Sequence, residues 1–245
     1  MSEQLSNIIC NGELEIVKIT ENLYDEAVKL FTENFIQKEN ISLATRLLNS
    51  PQAVKELQSM CRAMLQENTS FAARNISNGE LAAIAVTHLM SSQPENATLG
   101  DVMNSMQSPE MKCISEFLQA VETSADVYKA FQIDCVLEIV FLSTSANYLK
   151  RGLASTLSEY SINYARHLLQ GTVPEVDLPA AQVRALKPRA VCSVFTSLYT
   201  QRIGRKLNFE ILKKLPYTEF SFRGQTFAER IDPIHEFVTF EALRL

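Results

Sequence analysis

The sequence predicts a mixed α/β fold. It reads as one domain over residues 1–245, with a central mixed sheet and helices on both faces. Three observations predict it. Strand-like segments alternate with segments whose apolar residues recur at helical spacing. The stretch Ile133 to Leu142 is almost continuously apolar and rich in branched residues, the pattern of a strand buried on both faces. No linker rich in proline, glycine and serine divides the chain, which holds 7 glycines and 8 prolines in 245 residues.

The elements follow in order. Glu13 to Thr20 reads as a first strand, its apolar residues at 14, 16, 17 and 19. Asn22 to Phe35 reads as a helix capped by Asn22, with Leu23, Ala27, Leu30, Phe31 and Phe35 on one face. Ser50-Pro51 opens a second helix, Ser50 capping and Pro51 suiting the first position, with Val54, Leu57, Cys61, Met64 and Leu65 facing the core. Thr69 to Asn75 and Glu80 to Met90 read as a hairpin turned at Asn78-Gly79. Ser91 to Asp101 reads as a loop and Pro109 to Ala130 as one long helix. After the central strand, Ser143 to Lys150 is a polar turn and Gly152 to Leu169 an amphipathic helix. Gly171 to Lys187 reads as mainly loop, Ala190 to Phe195 as a short strand, and Ser197 to Leu207 as a helix. Strands at Glu210 to Phe220 and Phe237 to Leu243 complete the chain.

Composition narrows the function classes. With 46% apolar and 21% charged residues the chain can bury a sizeable core. A net charge of −5 argues against a globally basic nucleic-acid binder. No apolar run approaches the length of a membrane span, and the N-terminus lacks a secretory pattern. The five cysteines are widely spaced, with no CxxC, which fits reduced thiols in the cytoplasm better than a disulfide framework or a metal site. His88 and His167 read as packing or surface residues.

The informative segment is the end of the central strand, the polar turn and the glycine that opens the next helix. A helix N-terminus offers unpaired N–H groups and the positive end of its dipole, a ready site for an anion. Gly152 has no Cβ to hold a ligand off the backbone, Ala154 and Ser155 are small, and Lys150 and Arg151 add positive charge. A diphosphate suits that arrangement. The chain has neither G-x-G-x-x-G nor G-K-[ST], so the dinucleotide and P-loop readings fall away. The acetyl-coenzyme A pattern [Q/R]-x-x-G-x-[G/A] remains. Leu149-Lys150-Arg151-Gly152-Leu153-Ala154 matches it except at the first position.

Two further segments give that pattern weight. Phe35-Ile36-Gln37-Lys38-Glu39-Asn40-Ile41 lies early in the chain, and Thr196-Ser197-Leu198-Tyr199-Thr200-Gln201-Arg202-Ile203-Gly204-Arg205-Lys206-Leu207-Asn208-Phe209-Glu210 lies late. Both, with the tail Pro233-Ile234-His235-Glu236, resemble in order and spacing the GNAT acyltransferases, and among them the insect arylalkylamine N-acetyltransferases. The resemblance implies a single GNAT-like domain whose central sheet splays. It implies transfer of an acetyl group from acetyl-CoA to a small primary amine of the dopamine, tyramine or serotonin class, with no metal.

In that reading Glu39 is the base, and Thr196 and Thr200 stand where the family's proton-handling serines stand. Leu142, Ser143 and Thr144 pair with pantetheine, and Leu149, Lys150, Arg151, Gly152, Leu153, Ala154 and Ser155 hold the diphosphate. Phe35 and Tyr199 border the amine. The departures are Lys38, Asn40 and Leu149. A Lys38 ammonium beside Glu39 is expected to lower its pKa. These departures keep two alternatives open, a non-catalytic or divergent acyl-CoA-binding protein and an acetyltransferase for agmatine or polyamines. The partners expected are an amine and an acyl-CoA, with no nucleic acid or membrane, and a monomer is favoured.

Overall fold

A computed structural model describes residues 7–93, 99, 102 and 105–245. The first strand forms as expected, but behind an added short one: β1 (Ile8–Ile9) pairs antiparallel with β2 (Leu14–Lys18). The first helix, α1 (Tyr24–Leu30), is entered through a 3-10 turn at Glu21–Leu23 and leaves through a π-helical turn at Phe31–Phe35. Asn22 does not cap it. Its Oδ1 accepts from the Thr20 hydroxyl at 2.6 Å instead. A short helix the sequence did not announce follows, α2 (Asn40–Thr45), and then α3 (Pro51–Leu65). Ser50 caps α3 as expected, accepting the Ala53 N–H at 3.3 Å.

Strands β3 (Phe71–Asn75) and β4 (Leu81–Ser91) form the expected hairpin. Its turn is wider than a two-residue one, because the Asn75 side chain accepts the N–H groups of Ser77 and Asn78. The loop expected at Ser91 to Asp101 lies largely outside the described residues. The long helix expected from Pro109 divides into α4 (Pro109–Thr123) and α5 (Val127–Phe131). The break has a local cause. Asp126 accepts the Lys129 N–H at 3.1 Å and starts a new helix.

Next come β5 (Cys135–Thr144), α6 (Leu153–Gln170), β6 (Ala190–Phe195), α7 (Leu198–Lys206) and β7 (Glu210–Pro216). The last of these stops short of the expected Phe220. Beyond Pro216 the chain turns at Tyr217–Glu219 into a small unanticipated hairpin, β8 (Ser221–Phe222) and β9 (Gln225–Thr226). β10 (Phe237–Arg244) ends the fold.

The eight-stranded sheet runs β1-β2-β3-β4-β5-β6-β10-β7. Neighbours are antiparallel except β5 and β6, so the sheet is mixed. One face carries α1, the π-helical turn, α3 and α4 through Leu30, Phe31, Leu57, Met64, Ile114 and Phe117. The other carries α6 through Leu153, Leu157, Ile162 and Leu168. α7 packs against β6 and β10, where Gly204 is needed. A Cβ there would lie 2.3 Å from a carboxylate oxygen of Glu241 and 2.5 Å from the Phe195 ring.

The sheet parts in the middle. β5 pairs with β6 only at Val136↔Ala190, Leu137↔Val191 and Glu138↔Cys192, whereas β6 stays paired with β10 from Ala190 to Phe195. On its other side β5 carries a bulge. Phe141 partners Val86 and Ile139 partners Thr87, leaving Val140 between them. A bulge bends and twists its strand. It falls where β5 leaves β6, so the central sheet is splayed with helices on both faces, as expected.

Candidate active site

A cavity of about 450 Å³ opens where β5 and β6 separate. Apolar side chains from α3 and α4 wall it, among them Leu57, Met60, Met64, Ile114 and Leu118. The β5 run Glu138 to Leu142, the β6 run Ser193 to Phe195 and Thr196 just beyond it form its floor. Glu39, Thr196, Thr200, Phe35 and Leu142, five of the residues singled out from sequence, line it together.

Glu39 reaches the cavity through the π-helical turn and the cap that follows. The turn brings Phe35 against Phe31 and Phe141, with ring centroids 5.0 and 5.1 Å apart. Glu39 then caps α2, its carboxylate accepting the N–H groups of Ile41 at 2.9 Å and Ser42 at 2.7 Å. The Thr196 and Ser42 hydroxyls stand beside the same carboxylate and favour its charged form. Burial raises the Glu39 pKa above the ordinary carboxylate value, and these hydrogen bonds restrain the rise. The lowering expected from Lys38 does not occur. Lys38 is exposed, and desolvation dominates at the carboxyl.

What holds Glu39 to Thr196 is the residue that looked like a departure. Asn40 is buried, and its Nδ2 donates to the Thr196 carbonyl at 2.6 Å. The Tyr217 hydroxyl donates to the same oxygen at 2.6 Å. Sequence reasoning missed both. The position of Asn40 beside Glu39 was the only signal available.

Thr200 lines the cavity, but its hydroxyl is held in a capping box at the start of α7. Ser197 Oγ accepts the Thr200 N–H at 3.1 Å, and Thr200 Oγ1 accepts the Ser197 N–H at 3.3 Å. Tyr199 lies apart from the cavity. It is 59% exposed and packs edge-on against His235, centroids 5.6 Å apart. His235 is buried, and its Nδ1 accepts the Leu198 N–H at 3.0 Å, which places the ring proton on Nε2. Burial lowers its pKa.

The turn into α6 is built from left-handed backbone, with φ of +63° at Lys150 and +75° at Gly152. A helix N-terminus leaves its first N–H groups without intrahelical partners, and here they belong to the residues around Leu153, Ala154 and Ser155. No atom beyond the adjoining residues lies within 4 Å of where a Gly152 Cβ would stand. The expected basic pair divides. Arg151 turns away to Glu13, with both N···O distances 2.8 Å, and lies over the Tyr148 ring. Lys206 supplies a charge sequence reasoning had not assigned, its Nζ reaching from the end of α7 to Ser155 Oγ at 3.2 Å. Leu149 is 49% exposed. Among the described residues one buried side-chain polar atom lacks a partner, Ser143 Oγ on the splayed end of β5.

At the apex, where the β5–β6 ladder ends, three more polar residues line the cavity: Glu138, Glu122 and His88. His88 pairs across the sheet with Glu138. Its Nδ1 lies 2.8 Å from Glu67, whose other oxygen accepts the Leu89 N–H. Burial raises Glu138 well above the ordinary range, the neighbouring Glu122 adding to it. Burial likewise raises Glu122 to about 7 against the opposing effect of His88. His88 reads from sequence as a packing or surface residue, and it is buried against Glu67; the two carboxyls carry no signal in the sequence.

No family's sequence model matches the chain, and no curated protein matches it. Solved structures do. Arylalkylamine N-acetyltransferase 2 from Aedes aegypti superposes with a TM-score of 0.76 at 20% identity, covering 94% of this chain and 98% of the other. Agmatine N-acetyltransferase superposes at 0.75 and 20% identity, covering 95% of this chain and 100% of its own. The Drosophila melanogaster polyamine N-acetyltransferase that forms N-acetylagmatine superposes at 0.74 and 19% identity, with the same coverage. The splayed sheet, the cavity at its parting and the glycine-led helix beside it are thus arranged in the GNAT acetyltransferase fold, in the form that the insect arylalkylamine N-acetyltransferases take.

Proposed function

We propose that this protein is an acetyl-CoA-dependent N-acetyltransferase that acetylates a small primary amine. The observation that carries the reading is the meeting of the Glu39 carboxylate and the Thr196 hydroxyl on the cavity wall where β5 and β6 have parted. The neighbouring proteins are named for acetylating arylalkylamines, agmatine or polyamines, and the amine here falls within that range.

The residues present fit coenzyme A. The first turn of α6, open above Gly152 and with Lys206 at its rim, would hold the diphosphate. The freed edge of β5 at Leu142, Ser143 and Thr144 would hold pantetheine, beside the orphaned Ser143 hydroxyl. When bound, the cofactor supplies an acetyl group activated as a thioester. The chain's own work is proton handling and placement. An alkylammonium has no lone pair, and lysine, with a pKa of about 10.4, shows how little neutral amine is free at pH 7. Glu39, its basicity raised by burial, takes that proton, and Thr196 steadies the carboxylate. Acyl transfer to the freed nitrogen would release one further proton from that nitrogen, and the departing thiolate would carry it away. Thr200 keeps α7 in place through its cap, so its part is positioning.

Among the described residues no helix is long and apolar enough to cross a membrane. Five free cysteines fit a reducing cytoplasm. The test is a steady-state assay that detects released thiol over an amine panel. Glu39→Gln is expected to cost ~100-fold or more in kcat while calorimetry still shows acetyl-CoA binding. Binding of acetyl-CoA with no turnover of any amine by the unaltered protein would instead identify a non-catalytic acyl-CoA binder.

A further inference from the structure

We propose that the apex of the cavity is a subsite for a second cationic group of the amine substrate, held between the carboxyls of Glu138 and Glu122 beside the His88 ring. This rests on the acetyltransferase reading and names the substrate class it admits: an alkylamine with an ammonium or guanidinium group at its far end.

The observations behind it are geometric. Glu138 is 6% exposed, and among the described residues its carboxyl makes no hydrogen bond. It nevertheless lines the cavity, so the one direction open to it is the cavity's interior. A carboxyl so enclosed, with no hydrogen-bonding partner and open space only on the cavity side, is costly, and a fold keeps one where something else completes it. Glu122 comes from α4 and reaches the same end of the cavity. Two carboxyls so placed cannot both ionise unless a cation joins them. Cys192 on β6 and Tyr128 on α5 also face this group, and burial pushes both of their pKa values up, so neither supplies positive charge. Glu67 stands behind His88 and satisfies its Nδ1.

The distance fits a long substrate. Glu138 pairs with Cys192, and Thr196 lies four residues further along. At the usual rise per residue that is roughly 13 Å. The wall between is methionine and leucine, which suits methylenes rather than polar groups. When the second cation arrives, it takes the place of the proton that the two carboxyls otherwise keep, and that proton leaves to solvent.

The experiment compares α,ω-diaminooctane with octylamine and with the amino-alcohol of the same length, using the full chain and saturating acetyl-CoA. The diamine is expected to have a kcat/KM about tenfold or more above octylamine, carried by KM, as one charge-assisted hydrogen bond implies. Glu138→Gln and, separately, Glu122→Gln should shrink that ratio toward one. A purely structural role would lower diamine and monoamine alike, and that result overturns the subsite. An amino-alcohol as good as the diamine also overturns it, because the apex would then read a neutral hydroxyl. If no amine is acetylated, the acetyltransferase reading fails separately. Calorimetry on the coenzyme A complex then decides the subsite. Diamine binding that releases a proton and is lost in Glu138→Gln supports it, and equal binding of octylamine refutes it.

Discussion

Asn40 shows how one amide can decide the geometry of a site. Its Nδ2 ties the end of β6 to the start of α2, so the Glu39 carboxylate and the Thr196 hydroxyl meet. The Thr196 carbonyl keeps the Tyr217 hydroxyl when Asn40 is removed, so the stability cost is modest. Asn40→Ala is expected to lower unfolding stability by about 1 kcal/mol in denaturant titration. Its kcat should fall by a larger factor than its KM for acetyl-CoA rises, because the base is misplaced and the cofactor is not. Equal changes in both would mean that Asn40 only holds the fold. The role proposed for Glu39 was legible solely through the resemblance of residues 35–41. A glutamate between Lys38 and Asn40 carries no mark of burial, and its raised pKa comes from walls contributed by distant elements.

The elements around the site are held at their ends. α7 begins with three satisfied groups: the Ser197–Thr200 box accounts for two, and His235 accepts the Leu198 N–H as a neutral imidazole. Burial depresses the His235 pKa below its ordinary 6.5, so the unfolded chain binds a proton more readily than the folded one. The stability this bond contributes is therefore complete above pH 6.5 and is lost as pH falls through the folded value. In that range the burial-raised carboxyls of Glu39, Glu122 and Glu138 work the other way and gain stability as pH falls, so the His235 share is read by difference: His235→Asn, which keeps an acceptor that does not titrate, should lose less stability, or gain more, than the unaltered protein as pH drops below 6.5 in thermal denaturation. An unchanged slope would place the titrating group elsewhere. The Pro233 to Glu236 tail was recognisable from sequence, but its task was not, since the partner N–H lies 37 positions away.

For the whole molecule, the decisive feature is that one sheet becomes two halves joined by three residue pairs. A ligand lying between the halves replaces part of the missing ladder. Acetyl-CoA at 100 times its Kd is expected to add about 2.7 kcal/mol to unfolding stability, and hydrogen exchange should slow at residues 142–144 and 152–156. Stabilisation without protection there would put the thioester elsewhere.

The sequence by itself determined the order of the main strands and helices, the buried central strand, the Ser50 cap, the β3–β4 hairpin and the glycine-led helix, because each depends on neighbours within a few residues. Only tertiary structure decided that Arg151 would face Glu13 and Lys206 would face Ser155. It also brought Glu138, Glu122 and His88 to one wall. Those outcomes depend on which side chains meet across the fold, and the free energy of a charge or a buried carboxyl is set by surroundings that lie far away along the chain.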